Sequence, residues 1–364
     1  MAAEPEFVAY PHTPDFKNFV KSYQRATMPS RGKFFGTVKL HGTNATVAFR
    51  KPYKHSPLTA MMQHFQSRNR NITAQTDNCG TVAHLGSAPL VELVNQITKI
   101  QECGVEWTEI LVVGEIAGIG VQKGVAVAHV ARFFAIFNIR IDDRWVDMRQ
   151  FASVSLPSHR IYNAASWPSY EMDIDLAEDM AETTEKLFEL TNKVTSECPV
   201  GLLLQAEMLP GNGGRGPSKT GEGVVWTMVQ SLEDGVALDR TALVNFKVKG
   251  EEFFTTRKQA TAKPQPGAST DEVTKAEAFA QYALGERRFE QGIEFVQDHL
   301  VQAGTPDESP YQKRLISTFC RWVVDDAMRE EELTWIEMGV VEARGRQALF
   351  AAAKTWFFAK CDER

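Results

Sequence analysis

Lys39 stands in the stretch FFGTVKLHGTNATVAF (residues 34–49), at the break between two apolar, β-branched runs. Strands avoid lysine where they are buried, and a Gly-Thr-Asn turn does not require one in front of it. Such an amine either points into water or works as a nucleophile at the floor of a pocket, with Gly42 letting the backbone approach a ligand. Near residue 250, NFKVKG (245–250) sets Lys247 and Lys249 on one strand face, with Phe246 and Val248 on the other. Two ammonium groups side by side repel unless an anion sits between them. A nucleophilic nitrogen and a paired cationic seat together describe chemistry at an anionic electrophile.

These residues need rigid strands to hold them. KFFGTVKL, NATVAFR, ILVVGEIAG, ARFFAIFNIRI, GEGVVWTMV and LVNFKVKG read as strands. PLVELVNQITKIQ (89–101) and DLAEDMAETTEKLFELTNKVTS (175–196) read as helices. Strands and helices interleave irregularly, so the expected class is α+β with antiparallel sheets and flanking helices rather than a parallel doubly wound sheet. Residues 259–271, QATAKPQPGASTD, have linker composition. The remainder, 272–364, carries helical periodicity throughout, with Asp271 or Ser309 and Pro310 as helix starts. The expected domains are therefore 1–258, a linker at 259–271, and a small all-helical domain at 272–364.

Composition limits the alternatives. With 364 residues, 43% of them hydrophobic and 24% charged, the chain can bury a sizeable core without metals or disulfides. Five scattered cysteines, none in a Cys-x-x-Cys pair, argue for a reducing compartment and against a structural zinc site. No apolar run of membrane-spanning length and no secretory leader is evident, so the expected location is cytoplasmic, with nucleus or organelle open. Net charge is −6, and 15 Lys/Arg against 20 Asp/Glu from residue 251 onward place most of the excess acid in the helical part. That balance disfavours tight non-specific nucleic-acid binding while leaving room for a local basic groove. LPGNGGRGPSKTG (209–221) is not a P-loop, because Pro217 and Ser218 separate Gly216 from Lys219. The histidines outside His41 show no metal-ligand spacing.

Lys-Leu-His-Gly-Thr-Asn (39–44) resembles the nucleotidyl-lysine motif of the covalent nucleotidyltransferases, the superfamily of ATP-dependent ligases and capping enzymes. Histidine in place of the usual aspartate, followed by Thr-Asn, resembles the RNA ligase branch of the phage nick-sealing (double-stranded) RNA ligase and the trypanosome RNA-editing ligases. Four further segments resemble that family's motifs in the family's order. QSRNR (66–70) supplies Arg68, with Arg70 as fallback, toward the sugar or a substrate phosphate. VVGEIAGIGVQKG (112–124) supplies Glu115 toward the ribose hydroxyls, with Gln122 and Lys123 as secondary substrate contacts alongside Asn44. FFAIFNI (133–139) supplies Phe137 to stack on the purine, with Asn138 where the family has Asp. GEGVVW (221–226) supplies Glu222, tied to the catalytic metal, and Lys247 and Lys249 close the set around a nucleotide phosphate.

The resemblance covers roughly residues 30–250 and implies an adenylyltransferase domain, distinct from ATP-grasp. It implies an enzyme that joins 3′-hydroxyl and 5′-phosphate RNA ends in three steps: lysyl-AMP on Lys39, adenylylated RNA, then sealing with release of AMP. ATP and Mg²⁺ (or Mn²⁺) are the implied cofactors, a nicked duplex or structured RNA the implied partner, RNA repair the implied setting, and a monomer the expected state. His41 is expected in catalysis at a step that the sequence leaves open. The helical part is expected to grip RNA through Lys313, Arg314 and Arg321. The rivals are a DNA ligase or GTP-dependent capping enzyme with the same lysine chemistry, and a non-catalytic nucleotide or RNA binder.

Overall fold

The structure, a computed structural model, describes residues 6–23, 28–77, 79–101, 106–122, 124–207, 218–253, 272–305 and 307–363. The expected linker and Lys123 lie outside these residues. The chain forms two compact units, Met1–Gly250 and Glu251–Arg364. No helix among the described residues is long and apolar enough to cross a membrane.

In the first unit, the elements run in the order α1 (Phe16–Tyr23), β1 (Arg31–Lys39), β2 (Thr43–Arg50), β3 (Met62–Ser67), β4 (Asn71–Ile72), α2 (Thr81–Gly86), α3 (Leu90–Gln101), β5 (Glu109–Ala117) and β6 (Phe133–Ile141). They continue with β7 (Arg144–Trp145), β8 (Ile161–Asn163), β9 (Ser169–Asp175), α4 (Ala181–Ser196), α5 (Pro199–Leu203), β10 (Gly223–Ser231) and β11 (Asn245–Lys249). One sheet has the order β11-β10-β1-β9, and a second runs β4-β3-β2-β5-β6-β7 with β8 beside β6. The β6–β8 pairing is parallel and the other strand ladders are antiparallel.

Period-two alternation decides which face each sheet buries. In the first sheet, Phe34, Trp226 and Phe246 turn to the side covered by α1, where Phe16 and Phe19 meet Phe246 at ring separations of 4.8 and 5.0 Å. Gly36 sits beneath the Trp226 ring, where an added Cβ would come within 2.9 Å of it. In the second sheet, Ala45, Val47, Phe49, Ile110, Val112, Ile116, Phe134, Ile136 and Ile139 form a core with Leu90, Leu93, Val94 and Ile97, the i, i+3, i+4, i+7 stripe of α3. The opposite faces, carrying Phe35, Thr37 and Thr227 on one sheet and Phe137 and Asn138 on the other, line a common cleft.

Two element expectations are corrected. Residues 169–175 pair with β1 as a strand, and the helix expected from 175 begins at Ala181, where Asp179 Oδ1 accepts the Ala181 N–H at 3.0 Å. An open edge of β1 offered backbone partners that local composition did not reveal. Pro310 does not open a helix: the chain turns through a 3₁₀ segment at Lys313–Leu315, and the helix starts at Ile316.

The second unit is helical where described: α6 (Glu272–Ala283), α7 (Glu286–Gln302), α8 (Ile316–Glu330), α9 (Glu332–Glu337) and α10 (Glu342–Asp362). Phe279, Phe289, Phe319, Val323, Leu349 and Phe357 fill its core, and Trp356 stacks on Phe289 at 4.6 Å. Gly292 lets α7 approach α8, since a Cβ there would lie 2.8 Å from Phe319. Two of the three cations expected to hold RNA have local acidic partners: Lys313 pairs with Asp362 at 3.4 Å, and Arg314 with Glu308.

Candidate active site

Lys39 is the last residue of β1, and strand register sets its surroundings. Lys39 pairs with Gly223 of β10, and Gly223 pairs with Lys249 of β11. The two lysines thus lie on one cross-strand row, about 10 Å apart by ordinary strand spacing, with a residue lacking a side chain between them. The next row on the same face, Thr37–Val225–Lys247, places Lys247 beside them. Only glycine suits position 223, where φ is +153° and a Cβ would stand 2.2 Å from the Val248 carbonyl oxygen.

Glu222 enters beside this gap. Its segment is fixed by the Ala126 N–H, which donates to the Thr220 carbonyl at 2.8 Å, and by the Gly250 N–H, which donates to the Glu222 carbonyl at 3.0 Å. Gly221 lies against α4, where a Cβ would be 2.5 Å from the Val194 carbonyl oxygen. The buried Glu222 carboxylate accepts from Lys39 Nζ at 2.7 Å, and His41 Nδ1 lies 3.4 Å from the same oxygen. Burial alone would raise this carboxyl, but Lys39, His41 and Lys249 outweigh it and hold it well below the usual carboxylate range. Lys249 is pushed below the ordinary lysine value, first by burial and then by Lys247, with Asp15 and Glu222 opposing.

The second sheet supplies the facing wall. Asn44 and Glu115 are direct cross-strand neighbours on β2 and β5. Glu115 Oε1 accepts the Gly42 N–H at 3.0 Å, which ties the turn after Lys39 to β5. Glycine is required at 42, because a Cβ would meet the Ile116 carbonyl oxygen at 2.2 Å. Burial pushes the Glu115 carboxyl up to about 7; Glu222 adds to the rise, while Lys39, the Gly42 N–H and Arg68 hold it back. Asn44 Oδ1 is buried without a hydrogen-bond partner among the described residues.

Phe137 reaches the cleft by a bulge. Val113 pairs with Asn138 and Gly114 with Ile136, so Phe137 is the extra residue, and both it and Asn138 line the cleft. Arg68 is exposed on the bend after β3 and acts electrostatically on Glu115. Arg70 instead donates to the Thr76 carbonyl at 2.9 Å, which commits it to its own turn. Gln122 is partly buried in the turn that follows β5.

Sequence reading missed Tyr10, which sits in an arm without periodic pattern. Its hydroxyl accepts from Asn138 Nδ2 at 2.7 Å and from Asn245 Nδ2 at 3.2 Å, linking the two sheets, and its ring meets Phe137 edge-on at 5.4 Å. Burial raises its phenol far above the ordinary value. Asn138 thus has a structural partner in this chain.

The donor set bears on a metal. Among the described residues, no cluster of three or more His, Cys, Asp or Glu side chains could cage an ion. Glu222, held ionised, is a hard oxygen donor, and Asn44 Oδ1, on the strand paired with that of Glu115, is an unused one among the described residues. That set fits magnesium or manganese, which take one or two carboxylates and complete their shell with water and ligand phosphates.

No protein-family model matches the sequence, and no curated protein matches it. Among solved structures, the chain is similar to the RNA ligase of Naegleria gruberi. A lysine-to-alanine mutant of that ligase with ATP and Mn gives a TM-score of 0.42 at 14% identity, covering 69% of this chain and 58% of that one. A lysine-to-methionine mutant with AMP and Mn gives 0.41 at 16%, and the ligase with PPi gives 0.39 at 15%, over the same shares of each chain. The chain spans about 58% of the length of that ligase.

Proposed function

We propose that the chain is an ATP-dependent RNA ligase acting through a covalent adenylate on Lys39. The observation that carries this reading is the Lys39–Gly223–Lys249 row, with Glu222 2.7 Å from the amine: a nucleophile and a second cation flank a position that has no side chain.

In the first step, Lys39 Nζ bonds to the α-phosphorus of ATP, the bond to the bridging oxygen breaks, and pyrophosphate leaves. The amine must first lose its proton, to solvent. Glu222 orients the amine rather than taking that proton, because a carboxyl held so low is a weak base. Lys249, with Lys247 beside it, meets the charge that develops on the phosphate, and that anion relieves their mutual repulsion. Phe137 offers a ring face to the purine, and Glu115 accepts from the ribose. A divalent ion at Glu222 would neutralise phosphate charge. The AMP then passes to the 5′-phosphate of an RNA end, and a 3′-hydroxyl displaces it to form the phosphodiester. Residues 1–258 form the adenylyltransferase part of this scheme, and 272–364 the part that orients RNA.

Incubation with α-labelled ATP or GTP and magnesium, followed by peptide mapping and sealing of nicked duplex, broken hairpin and single-stranded RNA, tests it. Label from ATP on Lys39 and joined RNA ends are expected. Label from GTP alone would assign a capping reaction, and no adduct, or one on another side chain, would overturn the reading.

The raised Glu115 carboxyl sets a pH dependence. Ribose hydroxyls donate to a carboxylate, so bound nucleotide favours the ionised form. With the free carboxyl at about 7, nucleotide affinity should rise about tenfold from pH 6 to pH 7.5 and level off above it. Titration calorimetry should show this slope in the native chain and a flat profile in Glu115→Gln. A slope that survives the substitution would assign the titration to another group.

A further inference from the structure

Arg132 precedes β6 at the same end of the second sheet as the turn after Lys39. Thr43, the first residue of β2, pairs with Ile116, and Ala117 pairs with Phe133. Arg132 therefore lies two strands from Thr43, roughly 10 Å by strand spacing. Three glycines with positive φ surround it. A Cβ on Gly80 (φ +68°) would stand 2.1 Å from Arg132 Nη1, one on Gly120 (φ +82°) would stand 3.5 Å from Nη2, and one on Gly118 (φ +110°) would stand 2.7 Å from the Arg132 Cα. The Ile119 N–H donates to the Val130 carbonyl at 2.8 Å and closes this loop onto the strand entry. On the Gly80 side, Cys79 Sγ lies 3.6 Å from Thr43 Oγ1, which connects the crevice to β2.

The guanidinium is held without being neutralised. Among the described residues, Arg132 has no ion-pair or hydrogen-bond partner, and its Nε is buried. Asp77 is engaged elsewhere, accepting the Cys79 and Val82 N–H groups at 3.2 and 2.7 Å. The field nearby is positive: the His84 ring is held below its ordinary value by burial and then by Arg132, Arg160 and His159. A planar cation in a glycine-lined crevice suits an oxyanion that can take two parallel N–H donors.

We propose that this crevice seats a backbone phosphate of the RNA strand, making Arg132 an RNA-binding residue. The proposal rests on the RNA ligase reading above and adds to it a substrate contact on the second sheet. The Lys39–Gly223–Lys249 row on the first sheet serves the α-phosphate, and the adenylation arm of the test separates an RNA phosphate at Arg132 from the β- and γ-phosphates of ATP.

The test measures binding of a nicked RNA duplex to the full chain by fluorescence anisotropy across a salt series, for native protein, Arg132→Gln and Arg132→Lys. Lysine adenylation by ATP is followed in parallel as the step that involves no RNA. Arg132→Gln should weaken RNA binding about five- to tenfold and lower the slope of log affinity against log salt by about one. Arg132→Lys should restore the slope, which a purely structural role would not produce, and ATP dependence of adenylation should match the native chain. Unchanged RNA affinity and slope in Arg132→Gln would overturn the proposal. So would a raised KM for ATP with RNA binding intact, because the seat would then hold nucleotide phosphate. If the native chain forms no Lys39 adduct, the ligase reading itself fails; a native adduct with an indifferent Arg132→Gln sinks only the RNA seat.

Discussion

Lys39→Arg should abolish the adenylate adduct while leaving the fold intact. Arginine keeps the charge that faces Glu222 at 2.7 Å, so the buried carboxylate retains a cationic partner. A guanidinium does not give up its proton at accessible pH and offers no nucleophilic lone pair. Removing the nucleophile of a covalent step is expected to lower the rate by about 10⁴-fold or more. Lys39→Ala should lose the adduct as well, with some loss of stability because Glu222 is left buried beside fewer cations. Lys249→Ala should keep a measurable adduct formed about 10²–10³-fold more slowly, as expected where one group that stabilises developing charge is removed. Intact-mass spectrometry after incubation with ATP and magnesium reads all three. An adduct on Lys39→Arg at the native rate would show that another group is the nucleophile, whatever the sealing assays return.

The ordering of these effects follows from strand register, and register is the level at which the sequence is least legible. Period-two alternation shows that Lys247 and Lys249 share a face, but not that Gly223 stands between Lys249 and Lys39. That juxtaposition needs the order β11-β10-β1, which joins segments almost 200 residues apart. The same limit explains β9. Its residues look like the lead-in to a helix, and only the free edge of β1 makes them a strand. The α3 stripe and the apolar runs of β5 and β6 were legible because one local pattern sufficed for each. Glu115 and Glu222 could be named from their motifs, but their opposite electrostatic characters could not. One is raised by burial and the other held down by Lys39, His41 and Lys249, and those three side chains arrive from β1, the turn after it and β11. Tyr10 and Arg132 carried no pattern at all, since each acts through a single side chain set by tertiary packing.

Arg288→Ala should be the most damaging single substitution in the helical unit. Arg288 is fully buried, which a charged side chain tolerates only when its charge is answered. Its Nε lies 3.1 Å from Asp326, its Nη2 lies 3.7 Å from Glu331, and its Nη1 donates to the Ala283 carbonyl at the end of α6. One side chain on α7 thus ties α6, α8 and the start of α9 together. Asp326 and Glu331 are themselves buried, with Arg329 reaching Asp326 at 2.8 Å from a largely exposed position. Truncation would leave buried Asp326 with only the largely exposed Arg329 and take the Arg288 cation from Glu331, and breaking such a buried network by removing one partner is expected to cost about 3–5 kcal/mol. For a unit of this size, that lowers the melting transition by roughly 15–25 °C. The companion variant Arg288→Met with Asp326→Asn and Glu331→Gln removes the charges together and should recover much of the loss, because no carboxylate remains unpaired. Calorimetry of the full chain distinguishes these outcomes. If Arg288→Ala melts with the native chain, the triad is not what joins these helices, and the stacked rings of Phe289, Phe319 and Trp356 must hold the unit without it.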